Sequence, residues 1–291
     1  MTAPSIGLPR LIRPARARSG SPSRSWSLWV GVGLLGLLIA SGIVAIFWTP
    51  YAPGASAVGP LSSPPSLAHP FGTDDLGGDV LSRTMAAATT DVSITVVVVL
   101  LALIVGTLWG SLAGFFGGVF DYVTMRVLEL LNSFPSLLLA VLVIAVAGPG
   151  IVNVVFVVAV LPLPDYVRLA RAEVSSKKQW QFADAARLVG RGPFGVLFAH
   201  VVPNSLRPLL TFASVNASYV VSTVGALGYL GLGIQPGSAE WGSMIAKGQD
   251  AILSGQWWIS GFPGLAIFLL AAAFHLISDA VADARDEGSA A

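Results

Sequence analysis

The sequence predicts an all-α polytopic membrane protein: six transmembrane helices, with a helix-turn-helix inserted between the fourth and the fifth. Three observations predict it. Of the 291 residues, 54% are hydrophobic and 11% charged, and mean hydropathy is +0.77; a soluble chain of this length needs more charge to cover its surface. Six segments are apolar over roughly the 20 residues that a helix needs to cross hydrocarbon. Lys and Arg, finally, are divided very unevenly among the connecting segments.

Taken in order, residues 1–26 form an arm rich in Pro, Ser and Arg, expected to be disordered. The first span covers 27–48. Ala55-Ser56-Ala57 resembles a signal cleavage site, but the apolar run exceeds the roughly 7–15 residues of a signal core, so the span is expected to be retained. A loop over 49–91 follows, then a core over 92–286 with spans at 92–116, 130–147, 151–169, 206–227 and 257–277, and a tail over 287–291. The third span can begin earlier, because 122–131 reads as a helix carrying Arg126 and Glu129 at the membrane edge. Pro135, Pro162 and Pro164 are expected to kink helices or mark their ends.

Arg10, Arg13, Arg16, Arg18 and Arg24 precede the first span, and Arg168, Arg171, Lys177, Lys178, Arg187, Arg191 and Arg207 surround the insert. With six spans, Arg126 and Arg285 fall on that side too. The other side receives only Arg83 and Lys247. Both termini and the insert, 170–205, are therefore expected to be cytoplasmic, with the loops at 49–91 and 228–256 outside.

The insert is expected to start a helix at Ser176, whose Gln179 three residues on makes a capping-box pattern. Phe182, Ala185, Ala186 and Val189 recur as one stripe. Gly190 supplies a left-handed stop, and Gly192-Pro193 a restart. Phe194, Leu197, Phe198 and Val201 form a second stripe, interrupted by Pro203, with Pro208 preceding or opening the fifth span. Ala185 and Ala186 are small enough for a groove or backbone to approach closely, with Arg187 and Arg191 to one side to meet acidic groups. Spacing alone leaves two readings: a surface that docks a partner, or an amphipathic helix on anionic lipid.

Several constellations point away from chemistry. Without Cys, disulfides and thiolate metal sites are excluded, and His69, His200 and His275 are too scattered for a metal centre. Asp74, Asp75 and Asp79 lack the spacing of a Ca²⁺ loop; they read as a turn, Gly72-Thr73-Asp74-Asp75-Leu76-Gly77-Gly78-Asp79, whose Asp79 caps a helix entering the second span. The same turn can equally serve as a contact surface. Trp257 and Trp258 read as interfacial anchors, while Trp241, in the middle of the second outer loop, is a gate candidate. The spans carry almost no ionisable residue, which disfavours a proton- or ion-coupled carrier. Asn132, Asn153, Asn216 and Ser218 are polar groups able to line a path or to bond between helices, and His275 reads as a packing residue. No phosphate-binding P-loop is present: Ser243 stands where its Lys belongs. A net charge of +1 gives no reason to expect nucleic acid as a partner.

The segment 184–204, DAARLVGRGPFGVLFAHVVPN, resembles the signature of permease subunits of ATP-binding-cassette importers. Ala185, Ala186, Gly190 and Pro203 match it, with Asp184 where Glu is usual. The segment 69–96 resembles the outer-loop signature of the peptide and nickel branch through His69, Pro70, Gly72, Thr73, Asp74, Gly77 and Asp79, with Gly78 in place of Arg. Segments 228–245 and 262–286 are similar to that branch as well, so the likeness covers about residues 27–286. The resemblance implies a type I importer permease in the cytoplasmic membrane of a prokaryote, not an enzyme itself. It implies that Asp184, Ala185, Ala186, Arg187, Gly190, Arg191 and Pro203 couple to an ATPase, and that Gly72, Thr73, Asp74, Asp79 and Trp241 belong to an outer loop or gate. The implied partners are a second homologous permease, two cytoplasmic ATPase subunits that hold the ATP and Mg²⁺, an extracytoplasmic solute-binding protein and membrane lipid. Cargo is expected to be a di- or oligopeptide, with nickel or another metal chelate as the alternative. An ATP-independent channel or carrier, or a scaffold, are readings from other classes.

Overall fold

A computed structural model describes residues 23–234 and 238–288. The arm up to residue 22, the tail from 289 and residues 235–237 of the second outer loop lie outside the described residues. Helix α1 (Ser23–Phe47) is the first span, and it packs on α2 and on the C-terminal helix. The loop that follows ends sooner than hydropathy suggests: α2 runs over Val80–Phe116, 37 residues without interruption. Asp79 does cap it, Oδ2 accepting from the Ser82 N–H at 2.8 Å. The cap opens the span itself rather than a separate short helix. Gly117, with φ +67°, ends α2 and starts α3 (Gly118–Asn132).

Pro135 and Pro162 stand at helix breaks, and Pro164 lies in the first turn of the helix that follows. Pro135 precedes α4 (Ser136–Ala147), and α3 and α4 meet at 85°. Leu161-Pro162 separates α5 (Ile151–Val160) from α6 (Leu163–Lys177) at 43°. The ring of proline removes an N–H and clashes with the preceding turn, so a break is its cheapest resolution. Among the described residues four helices are long and apolar enough to cross a membrane, or up to six if each bent pair counts as one span.

The capping box at Ser176 is not used. Helix α6 continues to Lys177, and α7 (Gln181–Leu188) starts only after Trp180. The reason is tertiary: the Ser175 hydroxyl and the Lys178 ammonium both donate to Gly114 O, at 3.0 and 2.7 Å, which ties the end of α6 to unpaired carbonyls at the end of α2. Beyond α7 come α8 (Pro193–Val196), a π-helical turn (Leu197–Val201) and α9 (Val202–Tyr229). Pro203 does not interrupt this run, as its position suggested. It sits in the first turn of α9 behind the π turn, and the wider turn accommodates the missing N–H. Pro208 lies inside α9 rather than at its start. Two short helices, α10 (Trp241–Lys247) and α11 (Gln249–Leu253), precede α12 (Trp258–Gly288).

The tightest packing is between α2 and α6. Gly106, Gly110 and Gly114 repeat at intervals of four along α2, and α6 lies directly on them. A methyl group added at Gly114 would fall 2.5 Å from Arg171 O, and one at Gly110 2.8 Å from Ala170 Cβ. Such small-residue ribbons bring two backbones together where lipid offers no hydrophobic drive to association.

Candidate functional site

Three places on the bundle bear on function: the α7–α8 insert, the loop framework at the opposite end of α2, and a cavity where the broken helices meet.

At the insert, α7 ends as its sequence predicts. Gly190 is left-handed, with φ +82°; its N–H bonds Arg187 O, and the Arg191 N–H bonds Ala186 O, the paired closure of a Schellman motif. Gly192 caps α8 and Pro193 opens it. The apolar stripe, however, divides. Ala183 and Ala186 are buried with Val174, Val196, Leu197 and Val201 in a small core of their own. Ala186 is therefore not part of an outward docking face, correcting the sequence expectation: it is the residue that lets α7 lie close on α6 and the π turn. The outward face carries Ala185 together with Leu188 and Val189, 89% and 79% exposed, beside Phe194 and Trp180 at 61% and 52%. Phe194 and Phe198 of the second stripe are likewise exposed, and only Leu197 and Val201 turn inward. Arg187 is already engaged, donating to Asp184 Oδ1 at 2.6 Å and to Lys178 O at 3.1 Å. Among the described residues the Arg191 side chain has no ion partner.

At the other end, the five residues of the outer-loop prediction form a framework rather than a surface. Thr73 is fully buried, Asp79 2% and Asp74 7% exposed. Asp74 Oδ1 accepts from the N–H groups of Leu76 and Gly78, and its Oδ2 pairs with Arg83 Nη1 at 2.9 Å. Asp79 Oδ1 lies 2.9 Å from His69 Nδ1. Gly72, with φ +74°, lies against the Trp258 ring, where a methyl would come within 2.6 Å. Trp258 Nε1 donates to Thr73 O; Trp258 is thus a buried strut, and Trp257, 55% exposed, keeps the look of an interfacial anchor. Trp241 is not mid-loop but the first residue of α10, completely buried. Its indole N–H donates to Thr84 O at 3.0 Å and its backbone N–H to Asp91 Oδ2 at 3.1 Å. None of these side chains is offered to a partner. Glu240, which the sequence places in the second outer loop or at its membrane edge, caps α10 through the N–H groups of Gly242 and Ser243. It is 2% exposed, and burial pushes its carboxyl above the ordinary carboxylate range. Asp91, expected in the loop, is buried on α2. Among the described residues no group of three or more His, Cys, Asp or Glu is placed to hold a metal ion.

The cavity, of about 410 Å³, opens where α3 breaks from α4 and α5 from α6, against the middle of α9. Asn132, Phe134, Ser136, Asp165, Phe212, Asn216 and Tyr219 are among its lining residues. Irregular backbone at such depth is tolerated where it lines a cavity. Of the four polar groups singled out in the spans, Asn132 and Asn216 do line it, while Asn153 bonds Ala147 O and Gly148 O beyond α4 and Ser218 bonds Ala271 O of α12. The Tyr219 hydroxyl meets Ser136 Oγ at 3.0 Å, joining α9 to α4. The Arg168 guanidinium lies 2.7 and 2.8 Å from the Asn132 amide, which accepts from it with the amide oxygen turned toward Arg168. Asp165 and Arg168 thus place ionisable groups on α6 inside the segment taken as the fourth span. His275 is not packed within the chain: its side chain is 67% exposed, 3.7 Å from Asp279.

Residues 106–288 match the family described as binding-protein-dependent transport system inner membrane component. The chain belongs to that family. It is similar to the probable D,D-dipeptide transport system permease protein DdpC of Escherichia coli, with 39% identity over 223 residues, 77% of this chain and 74% of that protein. Likeness to the di/tripeptide transport system permease protein DppC of Pseudomonas aeruginosa is 38% over 256 residues, covering 86% and 84%. The glutathione transport system permease protein GsiD of Pectobacterium atrosepticum is 35% identical over 263 residues, covering 88% and 86%. The chain is therefore a multi-pass inner-membrane permease subunit of an ATP-binding-cassette importer, without catalytic activity of its own. Membership implies an ATPase and a substrate-binding protein as partners.

Proposed function

We propose that this permease carries short peptides inward, and that the outward face of α7 is where a cytoplasmic ATPase subunit seats. The relatives named above are described as transporting dipeptides, di- and tripeptides and glutathione, which supports a peptide as cargo. The observation that carries the mechanical part is the exposure of Leu188 and Val189 beside a left-handed Gly190. Apolar side chains so fully presented at the tip of a short helix need a cover, and a groove in a protein covers them more completely than headgroups do.

On this reading the insert and both termini are cytoplasmic, as the Lys and Arg distribution argues. Two ATPase subunits bind ATP and Mg²⁺, and their closure moves α7. Because α8, the π turn and α9 are continuous from Pro193 to Tyr229, that movement reaches the cavity wall without an intervening loop. A second permease subunit completes the path on the side where α3 and α4 diverge. A solute-binding protein delivers cargo to the end that carries α10 and α11.

The test is purification from native membranes of the importer with Val189→Asp or with the unaltered chain. The expected outcome is stoichiometric capture of an ATPase by the unaltered chain, loss of that capture by the variant, and equal thermal stability of the two permeases. Undiminished capture and transport by Val189→Asp would remove α7 from the interface.

A further inference from the structure

The cavity between α3, α6 and α9 holds hydrogen-bonding capacity that the fold does not use. Asn216 is 6% exposed. Its Oδ1 is approached by the Tyr166 hydroxyl at 3.5 Å, and its Nδ2 has no partner among the described residues. Asn216 lines the cavity, and its amide nitrogen is not among the sealed side-chain atoms of the described residues, so the donor is open to whatever enters. On another wall, Asp165 has only Arg168 near it, at 3.7 Å, which is beyond hydrogen-bond length. Arg168 spends its donors on Asn132 instead. The cavity thus presents an exposed carboxylate and an amide donor that no hydrogen bond within the fold engages, with Phe134 and Phe212 beside them.

These complements match one end of a peptide. A free ammonium needs a carboxylate, the first carbonyl needs an N–H donor, and the aromatic rings accommodate a side chain without selecting one. We infer that this cavity is a contact point for the amino-terminal end of the transported peptide, Asp165 accepting from its ammonium group and Asn216 Nδ2 donating to its first carbonyl. Every peptide with a free amino terminus carries those two groups, so such a site engages cargo of varied sequence. The inference rests on the reading of the chain as a peptide permease and assigns cargo contacts that reading leaves open.

The experiment uses the complete importer in lipid vesicles, with its binding protein at saturation, and measures uptake of alanyl-alanine alongside ATP hydrolysis. For Asp165→Asn and Asn216→Ala, hydrolysis is expected to stay within about twofold of the unaltered importer. Peptide taken up per ATP is expected to fall roughly tenfold in Asp165→Asn, the factor for one lost charge-assisted hydrogen bond, and less, by a few-fold, in Asn216→Ala, which loses a bond between neutral groups. Asp165, with a side chain 61% exposed, keeps the test decisive should Asn216→Ala fail to assemble. Unchanged uptake per ATP in Asp165→Asn overturns the inference, and so does a proportional fall of hydrolysis and uptake, which marks a structural role. An unaltered importer that hydrolyses ATP but accumulates no alanyl-alanine overturns the peptide reading, and this inference with it.

Discussion

Replacing Gly110 with Ala isolates the contact between α2 and α6. The added methyl would stand 2.3 Å from Val167 O and 2.8 Å from Ala170 Cβ, where non-bonded heavy atoms prefer about 3.5–4.0 Å. Neither neighbour is a flexible chain end, so α6 must withdraw by roughly 1.2 Å or more to reach that range. Overpacking of this kind costs about 1–3 kcal/mol, offset by up to ~1 kcal/mol because Ala is the better helix former. Gly36→Ala supplies the control: it lies within α1, and a methyl there meets nothing within 4 Å, so only the propensity gain remains. The two variants should differ by about 2 kcal/mol, or ~4–8 °C in thermal midpoint at 2–4 °C per kcal/mol. Fluorescence-detected unfolding in detergent measures this directly. Coincident midpoints would refute the idea that α2 and α6 are held at backbone contact.

Ala186→Glu buries a carboxylate in the core beneath α7 and should lower stability and yield, whereas Leu188→Glu, at an exposed position, should leave the thermal midpoint unchanged while ATPase capture is lost. Gly190→Val forces a β-branched residue to φ +82°; roughly 1–2 kcal/mol of backbone strain should appear as faster proteolysis of the insert. Trp241→Ala removes a fully buried ring and its bond to Thr84 O, a loss of about 3–5 kcal/mol, read as a large drop in midpoint or in recoverable protein. Arg83→Met strands Asp74 in a buried site at a cost of roughly 3–5 kcal/mol, and limited proteolysis should then cut within residues 55–79.

What the sequence disclosed was mostly local. Gly190, Gly192-Pro193, Pro135 and Asp79 act on the backbone within a turn of themselves, so their signals survive without knowledge of the fold. That the helix capped by Asp79 runs unbroken into the second span did not show, because Arg83 and Asp91 look like loop residues until their partners are known. Asp91 finds Trp241 150 residues away, and no hydropathy window spans that distance. The inward face of α7 was equally hidden: Ala185 and Ala186 are the same residue type side by side, and only docking on α6 decides which is buried. The Gly106, Gly110 and Gly114 repeat is legible as a small-residue motif, but which helix lies on it is not. The cavity could not be read at all, since two separate helix breaks and the middle of α9 meet there only in three dimensions.

The length of α2 has a mechanical corollary. At 1.5 Å per residue its 37 residues reach about 55 Å, so one unbroken rod joins the Asp79 cap at one face of the membrane to Gly114, where Ser175 and Lys178 take hold, at the other. Rods of that kind tilt rather than stretch. A displacement where α6 grips it is therefore carried to the turn that Asp79 and His69 bolt down, with no loop between the two to absorb it.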